Sequence, residues 1–387
     1  MRIVHIGPCA LPLRHTRGGA IERRILELGA AQAALGHVVT AYSAEDEIPA
    51  AHFRGIRLKN IACQQSGILK RFEFLGRAID EIGEADILHF HSVPEGAVAA
   101  ATIRAAKVLS YDYFLWRGAR HPAGYWLCRT ALRRFEMLLP VSDFCRSESL
   151  RYWRLPANAA RVLHNGVNLE QFRPDQEAGR RMRAQLGTGA DPVILYVGRV
   201  CEQKGTDLLL AAYRELRSRI PRLRLVVAGP PNRFAQPNGN SLTEQIAREG
   251  GIYLGPIEEY QLAALYNSCD IFVMPTRQDE MFGMAALEAQ ACGKPVVCSR
   301  HGGLVESVSE KSGRFFPCGD AGALATQLED LLRSHKGLEQ HSLAARAHAE
   351  QFGWLRVAEQ LDEIYSGLRF VSPFCGNIPR SAESLAT

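Results

Sequence analysis

Residues 275–303 read PTRQDEMFGMAALEAQACGKPVVCSRHGG and follow the run Asp270-Ile271-Phe272-Val273-Met274. The run has the length and apolar character of a strand buried on both faces. The Ala-rich segment 284–292 is a good helix former, and Gly293-Lys294-Pro295 stops it before a second strand, Pro295 to Cys298. The order is strand, loop, helix, strand, with the loop at the carboxyl end of the first strand, where doubly wound α/β sheets bind ligands. At the helix start the backbone N–H groups of Phe282, Gly283 and Met284 lack intrahelical partners and carry the positive end of the helix dipole, which suits a phosphate. Two carboxylates bracket that position, Glu280 in the loop and Glu288 inside the helix. A phosphate alone has no use for them. A ligand that also carries neutral hydroxyls, such as a sugar or a ribose, needs such acceptors.

The same pattern recurs upstream. Pro192-Val193-Ile194-Leu195-Tyr196-Val197-Gly198 opens an α/β unit whose first strand delivers Arg199 at its carboxyl end, with Lys204-Gly205 beginning the following helix. Two fixed cations there can hold a phosphate or a diphosphate. A strand from Leu223 to Ala228 ends in Gly229-Pro230-Pro231, and the Pro/Asn/Gly-rich loop 231–241 offers a place for a nucleotide base. Ile252 to Gly255 reads as a strand and Ile257 to Asn267 as a helix. Residues 169–190 form a linker and an exposed helix ahead of this unit.

In the first half, residues 2–7 are a strand, and the loop Pro8 to Arg17 leads to Gly18-Gly19-Ala20, which opens a helix through about Leu35. Gly18 and Gly19 let the backbone approach a ligand at a helix N-terminus. The spacing is not G-x-G-x-x-G, and no ribose-binding acid follows the second strand, Val38 to Tyr42. That counts against a dinucleotide oxidoreductase. Residues 66–83 read as an amphipathic helix with Lys70, Arg71 and Arg77 on its polar side. Asp86 to His91 is a strand and its exit; His89 and His91 there either contact ligand or are packed and hydrogen-bonded. The strand Lys107 to Leu109 runs into Ser110-Tyr111-Asp112-Tyr113-Phe114. Tyr111 can donate a hydrogen bond to a leaving or acceptor oxygen but is a poor base at its ordinary pKa, and Asp112 is the alternative. Leu138 to Val141 is a strand, Ser142-Asp143 an N-cap, and Val162 to Val167 the last strand and turn of this half. Between Trp116 and Arg161 arginines and tryptophans interleave. They suit an anionic acceptor or lipid headgroups, or else are solvated helix faces with arginine stems lying along them.

A chain of 387 residues exceeds one ordinary core, and two α/β domains of similar size are the natural division. Hydrophobic residues at 47% and charged residues at 22% are those of a soluble globular enzyme. No apolar run approaches the ~20 residues of a spanning helix, and Met1-Arg2 leads straight into a strand, so a signal peptide is not expected. The ten cysteines show neither C-x-x-C nor zinc spacing, which points to reduced, mostly buried thiols in a cytoplasmic protein. The net charge of +5 permits attraction to anionic donors or lipids and does not indicate nucleic acid.

E-x-F-G followed by a helical E-A-x-A-x-G-x-P-V resembles the E-x7-E motif of the retaining family 4 glycosyltransferases of the GT-B fold. The resemblance extends to Gly198-Arg199 with Lys204-Gly205 (G-R-x4-K-G), to V-x-x-N-G-V-x-x-x-x-F-x-P at 162–174, to the Gly-Gly-Ala loop after strand one, to D-h-h-H-x-H at 86–91, and to the G-G-x-x-E turn Gly302 to Glu306. It covers residues 2 to about 370 and implies two Rossmann-like, doubly wound parallel-sheet domains facing a central cleft. Residues 1–172 would bind the acceptor and 173–352 the nucleotide sugar. A helix at about 353–370 would cross back onto the first domain, and 371–387 would form a flexible tail. In such a family Glu280 binds hydroxyls of the donor sugar, Glu288 the ribose, and Arg199 and Lys204 the diphosphate. Many relatives carry a histidine near the reacting sugar where this chain has Tyr111, so Tyr111, Asp112 or His91 must serve in its place.

The implied activity is metal-independent, retaining transfer of a hexosyl group from a nucleoside diphosphate sugar, by family frequency a UDP-sugar, with no cofactor. The acceptor hydroxyl would belong to a saccharide, glycolipid or small polyol, and the enzyme would be cytoplasmic with peripheral contact at an anionic inner membrane face. A nucleotide-sugar-binding or scaffold protein of weak activity on the same fold is the alternative. A sugar-nucleotide epimerase is disfavoured, since no acid/base pair for it can be placed; a phosphorylase would announce itself by the absorbance of a pyridoxal cofactor.

Overall fold

The computed structural model describes residues 1–9, 13, 19–44, 52–112, 122–231 and 241–368. Gly18, Tyr113, Phe114, Trp116, Arg117, Arg120, most of the 231–241 loop and the tail from Ser372 lie outside the described residues. Within them the chain forms two parallel sheets flanked by helices. The first contains β1 (Arg2–Ile6), β2 (Val38–Ser43), β3 (His52–Phe53), β4 (Ile56–Asn60), β5 (Ile87–His91), β6 (Ala106–Tyr111) and β7 (Met137–Pro140), in the order β3-β4-β2-β1-β5-β6-β7. Its helices are α1 (Ala20–Ala34), α2 (Gly67–Glu81), α3 (Gly96–Ala99), α4 (Pro122–Leu132) and α5 (Asp143–Trp153). Every pairing is parallel except the β3–β4 hairpin, which the sequence reading passes over although Ile56-Arg57-Leu58-Lys59 alternates with period two. Conversely, residues 162–167 are not a strand: only the isolated bridges Leu138–Ala160 and Val167–Gly353 flank them.

The second sheet runs β10-β9-β8-β11-β12-β13, built from β8 (Val193–Val197), β9 (Arg224–Ala228), β10 (Ile252–Tyr253), β11 (Ile271–Met274), β12 (Val296–Ser299) and β13 (Gly313–Phe316). Around it lie α6 (Gln176–Gln185), α7 (Thr206–Arg219), α8 (Leu242–Arg248), α9 (Glu259–Asn267), α10 (Met284–Ala291), α11 (Leu304–Ser307), α12 (Ala321–Arg333) and α13 (His335–Ala349). Strand order reverses beside β1 in the first sheet and beside β8 in the second, so each domain has its switch-point crevice there. Alternation along the strands sorts the cores. Val193, Leu195, Phe272 and Val296 pack with Leu287 and Ala291 of α10 on one face, while Ile194, Ile271 and Val273 pack with Leu209 of α7 and Leu328 of α12 on the other.

The last helix, α14 (Trp354–Ser366), belongs to the first sheet. Its Trp354, Val357, Leu361 and Ile364 are buried with Ile3, Leu28, Ile87, Val108 and Leu139. The ring of Trp354 lies over Gly166, where any Cβ would collide with it. On the same face of the sheet the strands present His5, His89, His91 and Ser110, all fully buried. His5 Nε2 meets Gln32 Oε1 at 2.7 Å and His5 Nδ1 meets His91 Nε2 at 2.8 Å. His89 is held at 2.6 Å by Ser110 Oγ on one nitrogen and by the Tyr365 hydroxyl of α14 on the other. One nitrogen from each imidazole lies within 4.8 Å of the other two, but these hydrogen bonds occupy every ring nitrogen except His91 Nδ1. Burial lowers all three pKa values, that of His5 to about 4, so the imidazoles are neutral and serve as donors and acceptors between sheet and helices.

Replacing Tyr365 by Phe leaves His89 Nδ1 buried without a partner. The expected loss is about 1–3 kcal/mol of stability, measured as a lowered urea midpoint; an unchanged midpoint would show that the layer does not tie α14 down.

Candidate functional site

The two switch points face each other across a cleft of about 600 Å³, lined from the second domain by Arg199, Lys204 and residues 278–285, and from the first by Ala20, Asp112, Val141 and Asn165. Arg199 leaves the end of β8 exposed, its carbonyl fixed at 2.7 Å by the Tyr196 hydroxyl, and its guanidinium makes no hydrogen bond or ion pair with a described residue. Lys204 closes a short 3-10 turn, Glu202–Lys204, rather than beginning a helix; α7 starts after Gly205. Gly205 is left-handed at φ 72°, and a Cβ there would overlap the Pro275 carbonyl, so only glycine lets this turn lie against the loop after β11. The Gln203 carbonyl accepts the N–H groups of Arg277 and Gln278 at 3.0 Å each, fastening the two loops together.

That loop carries Glu280, whose Oε2 accepts Lys204 Nζ at 2.7 Å. Gly283 then turns left-handed (φ 92°) into α10, and the N–H groups of Phe282, Gly283 and Met284 donate to no described residue. From below, the Gly303 N–H donates to the Glu280 carbonyl at 2.7 Å, and a Cβ on Gly302 or Gly303 would run into the backbone of Glu280 or Met281. Glu288, one turn into α10, is buried beside the cleft in a narrow crevice of about 30 Å³ that it shares with Arg23, Glu259 and Met284. Its Oε2 accepts the Tyr266 hydroxyl at 2.8 Å, and its Oε1 lies 3.5 Å from Arg23 Nη1 of the first domain, which is equally distant from Glu259 Oε1. Burial pushes the Glu288 carboxyl up, against the opposing pull of Arg23 and the Tyr266 hydroxyl.

The first-domain wall corrects several sequence expectations. Tyr111 is 1% exposed and points away from the cleft into the core beside Trp153 and Cys145; its hydroxyl has no hydrogen-bond partner among the described residues, and burial raises its pKa. The cause is strand alternation: Ser110 faces the histidine layer, so Tyr111 faces the opposite core. His91 faces that layer too, sealed by His5 and the sheet, and does not reach the cleft. Asp112, one residue past the strand, does line it. Its Oδ1 lies 3.4 Å from the hydroxyl of Ser92, a non-glycine residue held left-handed at φ 53°. Gly19 caps α1, and its N–H donates to Glu22 Oε2 at 2.9 Å; Gly18 lies outside the described residues. Arg23, Tyr266 and Glu259 were not singled out from sequence. Arg23 follows Gly19 by one helical turn and so lies beside the α1 opening, the one sequence signal that pointed to it.

Two doubly wound domains facing each other across a cleft, with cations and a helix N-terminus gathered at the switch point of the second, form the frame of the GT-B glycosyltransferases. Family profiles described as "Glycosyltransferase Family 4" and "Glycosyl transferases group 1" match residues 18–171 and 180–348 in turn, and the chain belongs to glycosyltransferase family 4. It is 35% identical over 245 residues to a D-inositol 3-phosphate glycosyltransferase 2 of Catenulispora acidiphila, covering 60% of this chain and 56% of that one. It is 34% identical over 259 residues to a GDP-mannose-dependent alpha-(1-6)-phosphatidylinositol monomannoside mannosyltransferase of Mycolicibacterium smegmatis, covering 63% and 66%. The matches thus span between half and two-thirds of these curated relatives. Among solved structures, Anabaena Alr3699/HepE in complex with UDP and glucose superposes with a TM-score of 0.78 at 20% identity, over 95% of this chain and 100% of that one. A sucrose-phosphate synthase from Thermosynechococcus elongatus does so at 0.73 and 23%, over 95% and 98%. At such identities these two establish the fold.

Proposed function

We propose that the protein transfers a hexosyl group from a nucleoside diphosphate sugar to an acceptor hydroxyl, with retention of configuration and without a metal ion. The observation that carries this reading is the second-domain wall: an unengaged Arg199, Lys204 and three undonated N–H groups at the α10 start converge beside two carboxylates. Arg199 and Lys204 take the diphosphate and the charge that builds on it as the sugar departs, the task a divalent cation has elsewhere. Glu280 keeps one oxygen free for donor-sugar hydroxyls while the other holds Lys204. Glu288 accepts ribose hydroxyls from its buried position. Uridine is the proposed carrier; guanosine, named for the Mycolicibacterium relative, is the competitor. A scaffold protein would have no need of a cleft-lining Arg199 whose guanidinium has no partner among the described residues, and this disfavours that alternative.

With Tyr111 and His91 turned away, Asp112 is the one ionisable first-domain side chain among the described residues lining the cleft. It orients the acceptor hydroxyl. In a retaining transfer, acceptor and leaving phosphate share one face of the sugar, so a β-phosphate oxygen receives the acceptor proton and no histidine is needed. The acceptor carries sugar or polyol hydroxyls, a class that supports the inositol-containing acceptors in the relatives' names. No described helix is long and apolar enough to cross a membrane. Leu69 and Phe72 of α2 and Trp126 and Leu127 of α4 are exposed, with Arg133 and Arg134 exposed just beyond α4. An apolar face edged by cations fits peripheral contact with an anionic bilayer.

Three measurements test these points. UDP or GDP should stabilise the protein, and affinity should fall as pH drops, beginning above the range of an exposed carboxylate because Glu288 is raised by burial. Glu288→Gln should weaken binding about tenfold, the loss of one charged hydrogen bond, and abolish that pH dependence. Product NMR should show the donor's α configuration with turnover unchanged by chelator; a β-linked product would promote Asp112 to general base. Sedimentation with anionic vesicles should carry the protein down at low salt, and indifference to vesicle charge would end the membrane proposal.

A further inference from the structure

Glu306 is a second-domain residue whose side chain, among the described residues, bonds only to the first domain. It sits on α11, yet its Oε2 accepts the Asp143 N–H at 2.7 Å and its Oε1 the Phe144 N–H at 3.0 Å, the first two donors of α5. The third, Cys145 N–H, goes to the N-cap Ser142 Oγ at 3.0 Å. A carboxylate there satisfies orphan donors and meets the positive end of an eleven-residue helix. Glu306 Oε2 also accepts His164 Nε2 at 3.2 Å. Although partial burial works against the charge, His164 and the two N–H groups hold the Glu306 carboxyl below its ordinary range.

His164 in turn stacks on Phe282, ring centres 5.3 Å apart and planes 24° from parallel, with Phe352 edge-on at 5.5 Å. Phe282 lies in the loop that carries Glu280 and opens α10. The same loop rests on Gly302 and Gly303, directly before α11, through the Gly303 N–H to the Glu280 carbonyl. Glu306 and the Glu280 loop therefore belong to one rigid piece of the second domain, and that piece docks on the first domain by a carboxylate at a helix N-terminus and an imidazole on a phenyl ring.

We propose that Glu306 and His164 are positioning residues: together they set the closed interdomain geometry and, through it, the placement of the Glu280 loop over the donor. This rests on the reading of the cleft as a donor site. Neither residue needs to touch the nucleotide, since Arg199, Lys204 and Glu288 all lie on the second domain. Removing the clasp should spare nucleotide affinity while lowering turnover, because the sugar-binding loop and Asp112 no longer meet in register. Arg23 ties the cleft at its other side, through Glu288 and Glu259, so closure is weakened rather than abolished.

The test compares wild type with Glu306→Ala, Glu306→Gln and His164→Ala by solution scattering without ligand, by UDP and GDP titration, and by release of UDP from UDP-glucose or GDP from GDP-mannose to water. Glu306→Ala should enlarge the radius of gyration, keep the nucleotide Kd within about twofold and lower release about tenfold or more. Glu306→Gln, retaining one carbonyl acceptor, should recover part of both losses. His164→Ala should lower release with scattering closer to wild type. Unchanged scattering and release in Glu306→Ala would overturn the proposal, as would equal losses of affinity and turnover. If wild type binds neither nucleotide, the donor-site reading fails on its own account, and the scattering comparison still decides whether Glu306 clasps the domains.

Discussion

The candidate site depends on backbone approaching backbone. Three loops, after β8, β11 and β12, stand in contact at the carboxyl end of one sheet, and the contacts fall at Gly205 against Pro275 and at Gly302 and Gly303 against Glu280 and Met281. No side chain fits in any of these places. The glycines thus fix where Lys204 and Glu280 lie, and the 2.7 Å ion pair between them follows from that backbone arrangement rather than creating it. An ion pair alone would be a weak means of holding two loops, since its desolvation offsets much of its attraction. Close packing of backbone supplies the rigidity that a charge-handling site requires.

The same loops leave the cleft charged but internally matched. Lys204 faces Glu280, and Arg23 faces Glu288 and Glu259, so most of the charges around the cleft are paired with one another, Arg199 and Asp112 having no ion-pair partner among the described residues. On the proposed function, a diphosphate sugar brings both kinds of partner at once, phosphate oxygens for the cations and hydroxyls for the carboxylates. It exchanges one set of charged hydrogen bonds for another, which favours a ligand that presents both groups at the right separation over phosphate or sugar alone.

Most of the second domain was legible in the sequence because its candidate site residues are tied to local turns. Arg199 ends a strand, Gly205 and Gly283 mark left-handed positions, and Glu280 and Glu288 flank a helix start, so spacing along the chain reports their place in space. The first domain was less legible. Tyr111, His91 and Asp112 stand at neighbouring strand ends, and which of them meets the cleft depends on strand alternation and on the helices above each face. That cannot be read without knowing that Ser110 and His89 belong to the buried layer under α14. The cross-domain partners had still less signal. Arg23 meets Glu288, and His164 meets Glu306, across more than a hundred residues, and long-range ion pairs leave no periodicity; only Glu306 was marked, by its G-G-x-x-E turn. The β3–β4 hairpin did carry a period-two pattern, but its short strands are easily passed over.

The helix α14 has a consequence for how the protein comes into being. It completes the core of the first domain with Trp354, Val357 and Leu361 and closes the histidine layer with Tyr365, yet it is made only after the whole second domain. On the ribosome the amino-terminal half must wait, the part of one sheet face that α1 does not cover still open, until α14 has emerged. The second domain has no such debt and can mature as it is synthesised, so assembly proceeds against the usual amino-to-carboxyl order. The long sequence separation between β1 and α14 makes their docking a late and slow event, and an early stop anywhere between the 169–190 linker and Trp354 yields a first half with the α14 side of its core bare.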